Sequence, residues 1–207
     1  AKTTPKVLLD IKGKTVLERQ LQKLKSLGVT EVALAAGHLA EALRREVGLR
    51  YAEVDLTYAI ENAPLGTGGA IKHAWDYLAK PHEPVIILNG DILTTVDFNV
   101  MLALLRPVSD GLILGVKVPD ASTYGTLEFD VSQRLLAFKE KLGQSEVGYI
   151  NGGVYVFNPE VKKYFPSGRV FSIEYDIFPK VRDLYVFPSD QPWVDIGVPD
   201  RLAWARE

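Results

Sequence analysis

The sequence predicts an α/β fold with a mostly parallel sheet, and two observations carry that prediction. Strand-like and helix-like segments alternate through three rounds before Leu88. The strand-like runs are short and continuously apolar, as in strands covered on both faces. Thr15 to Leu27 opens the series, with Val16, Leu17, Leu21, Leu24 and Leu27 at helical spacing and Gly28 as a natural C-cap. Glu31 to Ala36 reads as a short buried strand stopped by Gly37, Leu39 to Val47 as a helix, and Val54 to Ala59 as a strand. Gly69 to Leu78 reads as a helix opened by a glycine-rich turn, and Val85 to Leu88 as the next strand. Beyond it the texture changes: Gly111 to Val118, Gly125 to Phe129, Leu135 to Phe138 and Gly153 to Phe157 read as strands with few helices between them, joined through proline and glycine. These are expected as antiparallel strands added to one side of the same sheet, so residues 1–207 form a single domain.

Composition narrows the classes. The chain is 47% apolar and 24% charged with a formal net charge of -2, which is ordinary for a soluble protein and unlike a non-specific nucleic-acid binder. No apolar run approaches the ~20 residues of a membrane span, and the first residues lack a signal peptide's apolar core, so a cytoplasmic location is expected. Without cysteine there is no thiolate chemistry or Cys-zinc site, and three dispersed histidines argue against a His-based metal cluster.

One stretch carries chemistry. Val85-Ile-Ile-Leu-Asn-Gly-Asp91 ends an apolar strand on a carboxylate with a glycine just before it. In open α/β sheets ligands bind beyond the carboxyl ends of strands. Asp91 has no basic neighbour in sequence, and Gly90 leaves room for a ligand. A divalent cation holding substrate phosphates would supply the countercharge. Equally, Asp91 can be a turn or helix cap. Two further stretches bear on the choice. Pro64-Leu-Gly-Thr-Gly-Gly-Ala-Ile-Lys72 is a glycine-rich turn whose backbone N–H groups can face a phosphate, although it matches neither the P-loop nor the dinucleotide fingerprint. Trp193-Val-Asp-Ile-Gly197 repeats the first pattern, which makes Asp195 a candidate second ligand for the same ion.

The ordered set Thr4-Pro5-Lys6, Pro64-Leu-Gly-Thr-Gly-Gly69, Leu88-Asn-Gly-Asp91, Tyr124-Gly125, Phe138-Lys-Glu-Lys141, Ile150-Asn-Gly-Gly153 and Trp193-Val-Asp-Ile-Gly197 resembles the sugar-1-phosphate nucleotidyltransferases. Within them, the glycine-rich run, Ile150 to Tyr155, Phe171-Ser172 with Glu174, and Asp195 to Pro199 are most similar to the D-glycero-D-manno-heptose 1-phosphate guanylyltransferases. Mannose-1-phosphate guanylyltransferases and glucose-1-phosphate thymidylyl- and uridylyltransferases share most of the motifs. The resemblance implies a Rossmann-like nucleotide-diphospho-sugar transferase fold. It also implies a Mg²⁺-dependent reaction in which a sugar 1-phosphate attacks the α-phosphorus of a nucleoside triphosphate, releasing pyrophosphate. On this resemblance Asp91 and Asp195 hold the metal and Lys6 faces the triphosphate. Glu61, Leu65, Gly66 and Thr67 line the base. Lys141 grips the sugar's phosphate, Glu140 and Asn151 its polar groups, and Gly125 lets the backbone approach. On spacing alone, Lys6 is a solvated lysine, Glu140 and Lys141 an exposed charged pair, and Asn151 and Gly152 an ordinary turn. Tyr155 and Phe157 are expected in the core, and Trp193 in the core or the site wall.

The family's first strand and its Gly-x-Gly-Thr-Arg loop have no counterpart ahead of Thr4, and an incomplete chain is the expectation, because both aspartates and both lysines are kept. Two rivals stand beside the leading reading. A related glycosyltransferase would hold its metal with Asp-x-Asp, but residue 93 is Leu. A non-catalytic sugar-nucleotide-binding module would draw only on the missing loop. Sheet edges or helix faces offer ways for two copies to pair.

Overall fold

The computed structural model describes residues 4–37, 39–139, 143 and 145–206. In chain order the first part runs β1 (Asp10–Ile11), β2 (Lys14–Thr15), α1 (Val16–Ser26), β3 (Glu31–Ala36), α2 (Ala40–Val47), β4 (Arg50–Tyr51), β5 (Val54–Ile60), α3 (Gly66–Trp75), β6 (Val85–Leu88), β7 (Ile92–Thr94) and α4 (Phe98–Ala103). The second part runs β8 (Gly111–Val118), β9 (Thr126–Phe129), β10 (Leu135–Lys139), β11 (Gly148–Phe157), β12 (Leu184–Ser189), β13 (Trp193–Asp195) and α5 (Pro199–Arg206). No helix among the described residues is long and apolar enough to cross a membrane.

Local chemistry sets several boundaries. Thr15 closes a capping box on α1: its hydroxyl accepts from Glu18 N at 3.1 Å, and the Glu18 carboxylate accepts from Thr15 N at 2.6 Å. The apolar positions of α1 bury Val16, Leu17, Leu21 and Leu24, and the chain turns out of the helix at Gly28 with φ +80°. The glycine-rich run departs from expectation. Helix α3 starts at Gly66, not Gly69, so the glycines lie within its first turn rather than ahead of it.

The α/β class holds, with parallel and antiparallel pairing mixed. Strands β3 and β5 pair in parallel, as do β8 and β12, whereas β11 is antiparallel to β6, β8 and β9, and β9 to β10. The larger sheet runs β10-β9-β11-β8-β12, with β6 joined to the far half of β11. Both faces of this sheet are covered. Ile113, Tyr155 and Phe157 point into a cluster with Trp75, Phe171, Ile173 and Phe178, while Leu112, Leu114, Val154 and Val156 point into another with Phe98 and Met101. Two-sided burial makes a strand apolar throughout whichever way its neighbours run, so apolar runs alone do not report strand direction.

Strand β11 also corrects the reading of Asn151 and Gly152. They lie inside the strand, at an irregularity between Asn151 and Tyr155 in its pairing with β8. Gly153 there has φ +68°, the left-handed conformation a bulge of this kind favours.

A smaller, three-stranded sheet is β3-β5-β4. Among the described residues no pairing joins β3 to β6. A cavity of about 650 Å³ lies between them, lined by Glu31 to Ala35, Val85 to Gly90, and apolar side chains of α1 and α3. Trp75 lines it too, and its buried indole N–H has no acceptor among the described residues.

Candidate functional site

The two aspartates come together through backbone pairing. After β6 the chain turns at Asn89-Gly90, and β7 pairs with β13, setting Asp195 opposite Ile92. Ile196 N donates to the Asp91 carbonyl at 2.9 Å, which locks the two segments in register. A Cβ on Gly197 would lie 2.7 Å from Asp195 Oδ1 and 3.0 Å from Asp91 Oδ2, so both carboxylates converge on one small space that glycine leaves open. Burial pushes the Asp91 carboxyl above the usual carboxylate range, and Asp195 pushes it further. Its own backbone N–H and the Lys6 ammonium pull the other way.

Among the described residues two cations stand beside this pair, although neither is adjacent to Asp91 in sequence. Lys6 Nζ donates to the Gly197 carbonyl at 3.0 Å. Arg201 Nη1 donates to Asp195 Oδ2 at 2.8 Å, and Gly197 N donates to Oδ1 at 2.6 Å. Sequence reasoning found Lys6 but missed Arg201. Its only signal was a basic residue six positions past Asp195, a separation that acquires meaning only once α5 turns it back.

A pocket of about 360 Å³ opens next to the pair, lined by Tyr124, Gly125, Asn151, Glu174, Asp195 and Arg201 among others. Gly125 is required where it stands, because a Cβ would overlap the Phe138 ring. Its carbonyl accepts from Asn151 N at 3.1 Å. The Asn151 side chain is held at both ends: Nδ2 donates to the Tyr155 hydroxyl at 2.9 Å, and Oδ1 accepts from Gly153 N at 3.0 Å. Tyr155 is fully buried as expected, and burial raises its phenol far above the ordinary value, so it stays a neutral anchor. Trp193 packs against the core behind the site: its indole donates to the Gly152 carbonyl at 2.9 Å, and its ring meets Tyr124 edge-on at 5.8 Å. Glu140 and Lys141 lie outside the described residues.

The glycine-rich run is less open than its composition suggested. Gly68 N and Gly69 N donate to the Phe171 carbonyl at 3.0 and 3.1 Å, so these N–H groups are committed within the protein. A Cβ on Gly68 would overlap the Phe171 ring, and one on Gly69 the Arg169 carbonyl; the glycines serve close packing here. Leu65 N donates to Glu61 Oε2 at 3.2 Å, and Thr67 Oγ1 donates to Glu174 Oε2 at 2.6 Å. Gly66 and Thr67 remain exposed at the surface. Gly90 also differs from expectation, since the space beside it holds Val7, whose Cγ1 would be 2.7 Å from a Cβ there.

The 650 Å³ cavity is larger than the 360 Å³ pocket, yet only the smaller one is bordered by Asp195 and Arg201. The smaller pocket is therefore the candidate site.

Comparison with known proteins identifies the family. A family model described as Nucleotidyl transferase matches residues 1–207. A D-glycero-alpha-D-manno-heptose 1-phosphate guanylyltransferase of Aneurinibacillus thermoaerophilus is 36% identical over 207 residues, covering 98% of this chain and 88% of that protein. The mannose-1-phosphate guanyltransferase of Schizosaccharomyces pombe is 33% identical over 95% of this chain, but the match spans 56% of its own length. The crystal structure of HddC from Yersinia pseudotuberculosis complexed with GMP-PN superimposes with a TM-score of 0.85 at 32% identity, covering 98% of this chain and 89% of that one. Converging carboxylates on a mixed sheet, a family match along all 207 residues and a relative matched over most of its own length lead to one assignment: the chain belongs to the nucleotidyl transferase family.

Proposed function

We propose that this chain joins a nucleoside triphosphate to a sugar 1-phosphate, giving a nucleotide-sugar and pyrophosphate, with GTP and a heptose 1-phosphate as its substrates. The observation that carries the reaction class is the convergence of Asp91 and Asp195 at Gly197, beside a pocket large enough for a sugar. The heptose 1-phosphate guanylyltransferase matched over 88% of its length supports the substrate pair. A mannose 1-phosphate is the second reading, favoured by the 33% identity to the mannose-1-phosphate guanyltransferase.

The carboxylate pair fits Mg²⁺. No cluster of three or more His, Asp or Glu able to hold a metal occurs among the described residues, so the protein would offer two carboxylates and leave other positions to phosphate oxygens and water. Asp91 is largely buried and faces Asp195, so a cation between the two would favour its charged form. Bound there, Mg²⁺ would neutralise phosphate charge and polarise the α-phosphoryl group.

The remaining work falls to side chains. A sugar-phosphate oxygen forms a new bond to the α-phosphorus as the bond from that phosphorus to the bridging oxygen of pyrophosphate breaks, and the pyrophosphate leaves with the electron pair. Lys6, held at Gly197, would offer its ammonium to the triphosphate. Exposed Gly66 and Thr67, with Glu61 and Leu65, would line the base. Gly125 and Asn151 would contact the sugar, with Asn151 fixed in place by Tyr155 and the β11 bulge. Glu140 and Lys141 would complete the sugar-phosphate contacts. Holding two anionic reactants in line in this way is the main catalytic task.

We read residues 1–207 as one nucleotidyltransferase domain of the cytoplasm. We assign the gap between β3 and β6 to the further strand that the resemblance expects ahead of Thr4. The facing strand edges, the apolar lining and the unpaired Trp75 indole support that assignment.

Pyrophosphate release with Mg²⁺ tests the function. GTP, dTTP, UTP, CTP and ATP are each paired with heptose, mannose and glucose 1-phosphates. Release with GTP and heptose 1-phosphate is expected. Release with GTP and mannose 1-phosphate supports the second reading, and no release with any pair overturns both.

A further inference from the structure

We propose that Arg201 serves two anions in turn. It neutralises Asp195 while the carboxylate pair lacks a cation, and it turns to the phosphate of the sugar 1-phosphate once a divalent cation binds. The inference rests on the proposed function and adds a substrate-binding residue and an order of binding, cation before sugar phosphate.

Charge balance comes first. Asp91 and Asp195 bring two negative charges to one small space, and Lys6 and Arg201 bring two positive charges beside it. A divalent cation entering between the carboxylates takes over their neutralisation and makes the surroundings electropositive. Arg201 is then a nearby cation no longer needed by Asp195, and the incoming sugar phosphate is an anion.

Geometry allows the turn. Asp195 is held from two sides of unlike stiffness: Oδ1 by the backbone N–H of Gly197, and Oδ2 by the long side chain of Arg201. The Arg201 guanidinium lies 4.6 Å from the centre of the Tyr124 ring. That ring is fixed by Trp193, which is tied to the Gly152 carbonyl. A guanidinium can move across an aromatic face without losing its attraction to the ring. Tyr124 and Arg201 both border the 360 Å³ pocket, together with Gly125 and Asn151, where the proposed function puts the sugar. Asp195 is the sole hydrogen-bond acceptor described for Arg201, so most of its N–H donors remain for a phosphate, whose geometry the guanidinium fork matches.

The two halves predict opposite signs for one substitution. Arg201→Gln removes a competitor for Asp195, so Mn²⁺ alone, titrated by electron paramagnetic resonance, binds about fivefold tighter than to wild type. In saturating Mg²⁺, the heptose, mannose or glucose 1-phosphate that wild type binds in calorimetry binds the variant at least about tenfold more weakly. Arg201→Lys keeps the charge and holds Mn²⁺ affinity within about twofold of wild type, while losing much of the fork's grip on phosphate. If Arg201 only props up Asp195, Arg201→Gln binds Mn²⁺ equally or more weakly, and that result overturns the proposal. Sugar-phosphate binding unchanged in Arg201→Gln, or absent in wild type, overturns it as well. Both readouts are binding, so wild-type protein that binds these ligands without releasing pyrophosphate counts against the proposed function and not against Arg201.

Discussion

Burial raises the Asp91 carboxyl above the usual carboxylate range, and the neighbouring Asp195 raises it further, so the charged form of Asp91 is costly without a counter-ion. A fold tolerates this arrangement when a cation is meant to resolve it. Asp91→Asn keeps the shape and removes the charge. Its expected result is an unchanged melting temperature with turnover reduced by about 10²-fold or more, read by pyrophosphate release. Near-normal turnover would remove Asp91 from the metal site. Gly197 gives a second test. Alanine there needs no unusual backbone, but its Cβ would lie 2.7 Å from Asp195 Oδ1 and 3.0 Å from Asp91 Oδ2, so the carboxylates must part. Gly197→Ala should fold and bind Mn²⁺ about tenfold more weakly; equal affinity would show that the pair does not act through this space.

Among the elements, α1 and α3 show two ways a short segment specifies itself. Helix α1 is set by its own chemistry through the Thr15–Glu18 capping box. Thr15→Ala should lower stability in urea unfolding by about 1 kcal/mol and leave activity intact. Helix α3 depends instead on what packs against it, since its glycines admit the 169–173 segment at contact distance. Gly68→Ala has good helix propensity yet should destabilise by about 2 kcal/mol, a fall in Tm of roughly 5 °C, because its Cβ meets the Phe171 ring. A stabilised variant would show that this contact has slack. Strand β11 combines both influences. Its apolar alternation fills two cores, and its bulge fixes Asn151 on Tyr155 beside the pocket.

At the scale of the molecule, the two sheets do not meet in a continuous ladder. Strands β3 and β6 each pair on one side only among the described residues, and the 650 Å³ cavity separates their other edges. Unpaired edges leave backbone groups without ladder partners. In the 207-residue chain, the β3 amides not bonded to β5 and the β6 amides not bonded to β11 should exchange with deuterium far faster than those of β8. The same amides should become protected in a form of the protein carrying a strand in the gap. Slow exchange in the 207-residue chain would mean that β3 and β6 close on each other and that no strand belongs between them.

Much of this was legible in the sequence. The helix over Val16–Ser26 and the strands over Glu31–Ala36 and Val85–Leu88 follow from spacing, capping and apolar runs, which are properties of neighbouring residues. The ordered motifs were enough to imply the family and to nominate Asp91 and Asp195. The antiparallel strands of the second half were anticipated, but the antiparallel pairing of β6 with β11 was hidden, because burial on both faces makes parallel and antiparallel strands equally apolar. The packing role of Gly68 and Gly69 was hidden as well, since their close neighbours, Phe171 and Arg169, lie far along the chain. Arg201 could not be read as a partner of Asp195 and Tyr124 until α5 turned back over β13. The sequence by itself determined the local elements and the residue types the chemistry needs. Only the tertiary structure decided which of them meet, because long-range pairings such as β7 with β13 set distances that no local spacing contains.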